Sequence, residues 1–221
     1  MSRILGKPEH DYVIMGEGNT SARADAETFW VKTSGSRLAD VERDAFVRVD
    51  TARVLALLDG RDLSESEMRT ELTRARIKPG ASAAPSIETA MHALCLTLGK
   101  AVFVGHTHPT TINAILCADD PETPFSRPIF PAEAMVCGHP LFVPYAPPGQ
   151  PLARAVRQSL ESAIERRGQP PRALLLQNHG LVALGKTVQQ VLDITEMMVK
   201  TARILVRTYA LGGPHFVDYG H

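Results

Sequence analysis

The stretch Val102-Phe103-Val104-Gly105-His106-Thr107-His108-Pro109 constrains this chain more than any other. An apolar, β-branched run reads as a buried strand. Side chains alternate between the faces of a strand, so His106 and His108 leave its end on one side. Further along, Ala173-Leu174-Leu175-Leu176-Gln177-Asn178-His179-Gly180 repeats the design, with a glycine where the backbone must turn. Alone, a His-x-His pair is more often a hydrogen-bonded surface or core feature. Two apolar strands that each end in histidine can bring three imidazoles to one point, the ligand set with which a catalytic divalent ion keeps positions open for substrate.

The 221 residues suffice for one sizeable core, so a single domain over 1–221 is expected. Lys+Arg and Asp+Glu both number 24, giving zero formal net charge, and no basic stripe points to a nucleic-acid partner. The partner is expected to be a small molecule. Cys95, Cys117 and Cys137 form no CxxC pair and lie in apolar segments, which suits a reduced chain. No apolar run approaches the ~20 residues of a membrane span. The N-terminus lacks the basic-then-apolar order of a secretory signal, so a cytoplasmic location is expected.

Residues 1–11 are polar and expected to be only partly ordered, and 12–15 read as a short strand or helix end. Gly16-Glu17-Gly18-Asn19-Thr20-Ser21 reads as a tight loop that also has the donors to cradle an anion. The strand 28–32 runs into a second such turn, Thr33-Ser34-Gly35-Ser36, and two turns of this kind at one sheet edge can form a phosphate pocket. With no lysine or arginine cluster beside these turns in the sequence, the donors are expected to be uncharged. A strand over 46–50 and a helix over 51–58 capped by Asp50 follow, and 61–79 is charged and helical in part. Pro85 and Ser86 begin the next helix, with Glu88 in its first turn. Glu88 is either a helix-terminus charge or, because this helix feeds the His106 strand, a proton-moving group beside the metal. His92, one turn on, reads as structural. Beyond a short helix at 109–118, the proline-rich 119–131 reads as a loop near the site. The stretch 141–145 and a proline-rich turn lead to a helix over 152–167, and a strand at 174–176, a hairpin at 180–185 and a long helix from Thr187 to about Leu211 complete the chain. The tail with His215, Tyr219 and His221 is expected to fray.

These pieces, in this order, resemble the class II aldolase/adducin family of metal-dependent sugar-phosphate aldolases and epimerases. The likeness runs from Gly18-Asn19-Thr20-Ser21 through Lys32-Thr33-Ser34-Gly35, Pro85-Ser86-Ile87-Glu88 and His106-Thr107-His108-Pro109 to Gln177-Asn178-His179-Gly180. The wording of several stretches is most similar to the aldolase half of two-domain rhamnulose-phosphate aldolase/alcohol dehydrogenase proteins. The resemblance implies a three-layer α/β/α sandwich around a largely antiparallel sheet, assembled as a homotetramer with active sites at subunit interfaces. It implies one divalent metal per subunit on His106, His108 and His179, with Zn²⁺ expected first and Mn²⁺ or Co²⁺ as alternatives. Glu88 matches the acid/base carboxylate, and Asn19, Ser34, Gly35 and Ser86 match residues that hold a substrate phosphate. Two departures stand out. Ile87 replaces a second serine of many members, and Phe125, Phe130 and Pro131 occupy the loop where many aldolases present a tyrosine. Tyr219, or else Tyr145, would then serve the leaving aldehyde.

The implied reaction cleaves a ketose 1-phosphate to dihydroxyacetone phosphate and an aldehyde through a metal-stabilised enediolate, with no reactive lysine. The same motifs fit 4-epimerisation, decarboxylation of a 3-keto sugar-acid phosphate and ketose-phosphate dehydration. A non-catalytic, adducin-like scaffold is the rival from another class, and it predicts lost ligands where this chain keeps all three histidines and Glu88.

Overall fold

The computed structural model describes residues 1–77 and 84–218. Seven strands form one sheet in the order β3-β2-β1-β4-β7-β6-β5. They are β1 (Asn19–Arg23), β2 (Thr28–Lys32), β3 (Phe46–Asp50), β4 (Phe103–Thr107), β5 (Leu141–Val143), β6 (Ala173–Leu176) and β7 (Gly180–Gly185). Every neighbouring pair is antiparallel except β5 and β6, so the sheet is mixed and mostly antiparallel. The helices are α1 (Ser2–Leu5), α2 (Thr51–Ala56), α3 (Glu65–Arg74), α4 (Thr89–Thr97), α5 (Thr110–Leu116), α6 (Pro131–Cys137), α7 (Gln150–Arg167) and α8 (Val188–Tyr209).

The two-residue period divides β6 and β7 between two hydrophobic cores. Leu174, Leu176, Val182 and Leu184 join Val104 and residues of α2, α3, α4 and α7 in one core. Ala173, Leu175, Leu181 and Ala183 join Leu5 and residues of α5, α6 and α8 in the other. A strand buried on both faces needs apolar residues at every position, which is why these two read as unbroken apolar runs. Caps fix the helix starts. The Asp50 carboxylate accepts from Arg53 N, Thr187 accepts from Gln190 N, and Ser64 and Glu67 form a reciprocal capping box.

Several expectations need correction. Asn19, Thr20 and Ser21 are not loop but the start of β1, paired with β4, and from Ser21 onward with β2 as well. Residues 12–15 form no strand, although Tyr12 is buried. Helix α4 begins at Thr89, leaving Glu88 at its N-cap rather than in its first turn. Residues 180–185 are one strand, paired to β6 across the turn Gln177-Asn178-His179. The proline-rich segment ends in α6, for which Pro131 supplies the preset first-turn φ. The N-terminus is ordered, because Leu5 is fully buried and Ser2 Oγ bonds Thr20 Oγ1 at 2.8 Å. The tail is held at Val217, whose N–H donates to Pro128 O at 2.9 Å, and Tyr219 and His221 lie outside the described residues. No helix among the described residues is long and apolar enough to cross a membrane.

Candidate active site

The chain brings the three predicted histidines together. His106 lies in β4 opposite Asn19 of β1, His108 follows the strand's end, and His179 sits in the β6–β7 turn. His106 Nε2 is 3.0 Å from His108 Nε2 and 3.3 Å from His179 Nε2, and the three ligand atoms lie within 4.8 Å of one another. His106 Nδ1 lies 3.0 Å from Leu181 O, a bond in which only the imidazole can donate. The proton therefore sits on Nδ1 and the Nε2 lone pair faces inward. Burial pushes the His106 and His108 imidazoles down to about 4 and about 3, so both are neutral ligands near pH 7. With His106 Nε2 unprotonated, a neighbouring imidazole nitrogen at this spacing must either donate a proton to it or share a cation with it. A metal with arms of ~2.1 Å to nitrogen has neighbouring ligand atoms roughly 3.0–3.4 Å apart, which the two measured separations match. The residues present fit a divalent ion.

Backbone geometry sets this convergence. A Cβ at Gly180 would lie 2.4 Å from Thr107 O and 2.9 Å from His108 Cδ2, so only glycine lets β7 pass this close to the second ligand. Asn178 takes the left-handed conformation at φ 53°, which asparagine tolerates better than most residues. Asn113 Nδ2 donates to His179 O at 3.0 Å and ties the turn to α5. The sequence reading passed over Asn113, because only the fold reveals its contact.

Glu88 meets the same point from α4. Its Oε1 is 3.1 Å from His179 Nε2 and its Oε2 is 3.4 Å from His106 Nε2. Burial opposes ionisation, but His106, His179 and the Asn19 amide outweigh it and hold the carboxyl below the ordinary carboxylate range. Asn19 Nδ2 donates to Glu88 Oε2 at 2.7 Å and to Ser86 Oγ at 3.0 Å. Its Oδ1 bonds His92 Nε2, and His92 Nδ1 is 2.7 Å from Ser21 Oγ. His92 is wholly buried and belongs to this network, a structural place as the sequence suggests.

The three stretches assigned to an anion cradle also meet. Ser34 N donates to Ala84 O, Ser86 N donates to Lys32 O, and Gly16 lies against Gly35. Gly35 has φ 82° with open space where a Cβ would stand, so its backbone faces outward unobstructed. Ser86 Oγ accepts from Asn19 and from Glu88 N, which leaves its own proton to donate. Positive charge lies closer than the sequence indicated. The Lys32 ammonium is buried under the turn, donating to Thr33 O and Ser36 O, and Arg69 Nη1 donates to Ser34 Oγ at 3.3 Å. Burial pushes Lys32 down to about 8, with Glu88 pulling the other way. Alternation along β2 puts Lys32 on the side of exposed Trp30, so neither Lys32 nor Arg69 had a signal in the sequence. Ile87 packs toward the core and Gly149. Tyr145 is exposed.

The family described as Class II Aldolase and Adducin N-terminal domain matches residues 2–206. The chain belongs to the class II aldolase/adducin family. Among curated members, 3-oxo-tetronate 4-phosphate decarboxylase of Haemophilus influenzae is 26% identical over 198 residues, covering 89% of this chain and 80% of its own. The uncharacterized oxidoreductase YuxG of Bacillus subtilis is 28% identical over 195 residues, covering 85% of this chain and 26% of its own, so this chain spans about a quarter of that relative. The N-terminal class II aldolase domain of a conserved Thermoplasma acidophilum protein superposes with TM-score 0.72 at 26% identity, covering 93% of this chain and 90% of that one. An L-fuculose 1-phosphate aldolase gives TM-score 0.72 at 19% identity, covering 98% and 86%, and shows a shared fold. Class II aldolases depend on a divalent metal.

Proposed function

We propose that this chain is a metal-dependent lyase that cleaves a ketose 1-phosphate to dihydroxyacetone phosphate and an aldehyde. The observation that carries the reading is the convergence of His106, His108, His179 and the Glu88 carboxylate beside the Ser34-Gly35-Ser86 cradle. The histidines would hold one divalent metal per chain, with Zn²⁺ first and Mn²⁺ or Co²⁺ as alternatives. When bound, the ion supplies positive charge to the oxygens that gain negative charge as the bond beside a carbonyl breaks, worth several kcal/mol.

The remaining work falls to the chain's own groups. The cradle anchors the phosphate through the Gly35 backbone N–H and the Ser34 and Ser86 hydroxyls, with Lys32 and Arg69 adding positive charge. This remote binding holds the reacting carbons in place. Glu88, ionised at rest, takes the proton from the hydroxyl on the carbon at the far end of the breaking bond as the bond's electron pair moves to the carbon beside the carbonyl and the aldehyde leaves. Glu88 then gives that proton to the carbon beside the carbonyl, which restores the carboxylate. Tyr219 is assigned a hydrogen bond to the aldehyde oxygen as the hydroxyl proton departs. We further propose one domain over 1–221, a three-layer α/β/α sandwich, a cytoplasmic homotetramer and active sites at subunit interfaces. Exposed Ile14 and Met15, on the same loop as Glu17, support an interface beside the site.

Decarboxylation of a 3-keto sugar-acid phosphate is the second reading, favoured by the match to the Haemophilus decarboxylase over most of both chains. A panel of ketose 1-phosphates and 3-keto sugar-acid phosphates offered to the Zn²⁺-loaded protein separates the two. Release of dihydroxyacetone phosphate with an aldehyde supports the first, CO₂ release supports the second, and neither product contradicts both. Equal efficiency on phosphorylated and free sugars would remove the phosphate assignment alone.

A further inference from the structure

Behind the Glu88 carboxylate lies a buried hydrogen-bonded chain. Asn19 and Ser21 alternate along β1 and so share a face of the sheet, opposite His106 and Val104 of β4. Helix α4 crosses this face and presents Glu88 and, four residues later, His92. Ser21 Oγ bonds His92 Nδ1, His92 Nε2 bonds Asn19 Oδ1, and Asn19 Nδ2 bonds Glu88 Oε2. All four side chains are buried, His92 completely.

We propose that His92 is a positioning residue: through Asn19 it fixes which end of the amide faces Glu88, and so holds that carboxylate in its working orientation. The inference rests on the acid/base reading of Glu88. An asparagine amide is nearly the same shape either way round, but its two ends are opposite in hydrogen-bonding sense. An ionised carboxylate only accepts, so the amide oxygen turned toward Glu88 would set two acceptors 2.7 Å apart. His92 prevents the turn by donating from Nε2 to Asn19 Oδ1. Ser21 closes the series, its hydroxyl donating to the unprotonated Nδ1. Every proton in the series then points toward Glu88, and no member has an alternative partner in water. A buried polar series of this kind is costly unless each bond is made, which gives the sequence reason to keep Asn-x-Ser on β1 facing Glu-x-x-x-His on α4.

The test combines ring NMR with a mutant cycle on the metal-loaded full chain. In the wild type, ¹⁵N shifts should show His92 protonated at Nε2 and bare at Nδ1, and the opposite tautomer overturns the proposal. His92→Phe keeps the ring volume and removes both bonds. It should lower kcat by about 10-fold on the ketose 1-phosphate turned over in the panel, with KM within about twofold and metal content unchanged. His92→Gln, which can still donate to Asn19, should recover most of that loss. In a Glu88→Gln background, His92→Phe should cost less than about twofold further, because it acts through a group already removed. Full additivity overturns the proposal. If His92→Phe does not fold, His92→Gln in both backgrounds and the wild-type ring shifts still decide. If Glu88→Gln alone turns over like wild type, the acid/base reading fails, and the tautomer still tests the orientation.

Discussion

Glu88 illustrates what one residue type becomes in two settings. As a helix-terminus charge it would contribute little. Here its oxygens stand 3.1 Å from His179 Nε2 and 3.4 Å from His106 Nε2, beside the point on which the three histidines converge. Glu88→Gln should therefore keep metal and fold while lowering kcat by roughly 100-fold or more, the range for a positioned proton-transfer group. Turnover equal to wild type would reduce Glu88 to a charge at the start of α4. Asn19 changes its meaning once its contacts are known. A phosphate donor alone would show its loss in KM, roughly 10- to 100-fold for a phosphorylated ketose. Both donated bonds recorded for its amide go to Ser86 and Glu88, so Asn19→Ala is expected to lower kcat as well. A pure KM effect in steady-state kinetics would place it in the cradle only. The ligand histidines were legible because alternation in a strand places them without knowledge of the fold. Lys32 and Arg69 were not, because strand alternation sets Lys32 beside exposed Trp30 and only the 33–36 turn closing on its ammonium buries it, while Arg69 meets Ser34 only in the folded chain.

At the scale of elements, the apolar runs, the caps at Asp50 and Thr187 and the long final helix were readable, since each rests on local periodicity or on a side chain bonding its own helix. Strand β1 was not. Asn19-Thr20-Ser21 has turn composition, and only its pairing with β4, joined by β2 from Ser21 onward, makes it a strand. The β6–β7 turn likewise owes its path to contacts with β4. Gly180→Ala should push the backbone off Thr107 O and His108, costing ~1–3 kcal/mol of stability. It should also weaken metal binding by about 10-fold or more, as a disturbed ligand support does. Thermal unfolding and metal titration check the two effects, and an unchanged affinity would show that His108 does not depend on this close approach. Ser64→Ala removes half of the capping box of α3, far from the histidines. It should cost about 1 kcal/mol in denaturant unfolding without altering metal content.

Over the whole molecule, the site's burial makes stability depend on pH. His92, His106 and His108 are held by burial at about 4, about 4 and about 3, below the ~6.5 of an unfolded chain. Between these values the unfolded state binds more protons than the folded one, so folding stability falls as pH drops from about 6.5 toward 4. In chelator, where no cation competes with protons, the urea midpoint should decline across that window, and a flat midpoint would contradict the burial of neutral imidazoles. The account as a whole stands on one metal centre shared by two parts of the sheet. Its most direct test is elemental analysis of the purified, Zn²⁺-loaded protein beside His106→Ala, His108→Ala and His179→Ala. The wild type should retain one ion per chain and each variant a small fraction of that; undiminished metal in all three variants would contradict it.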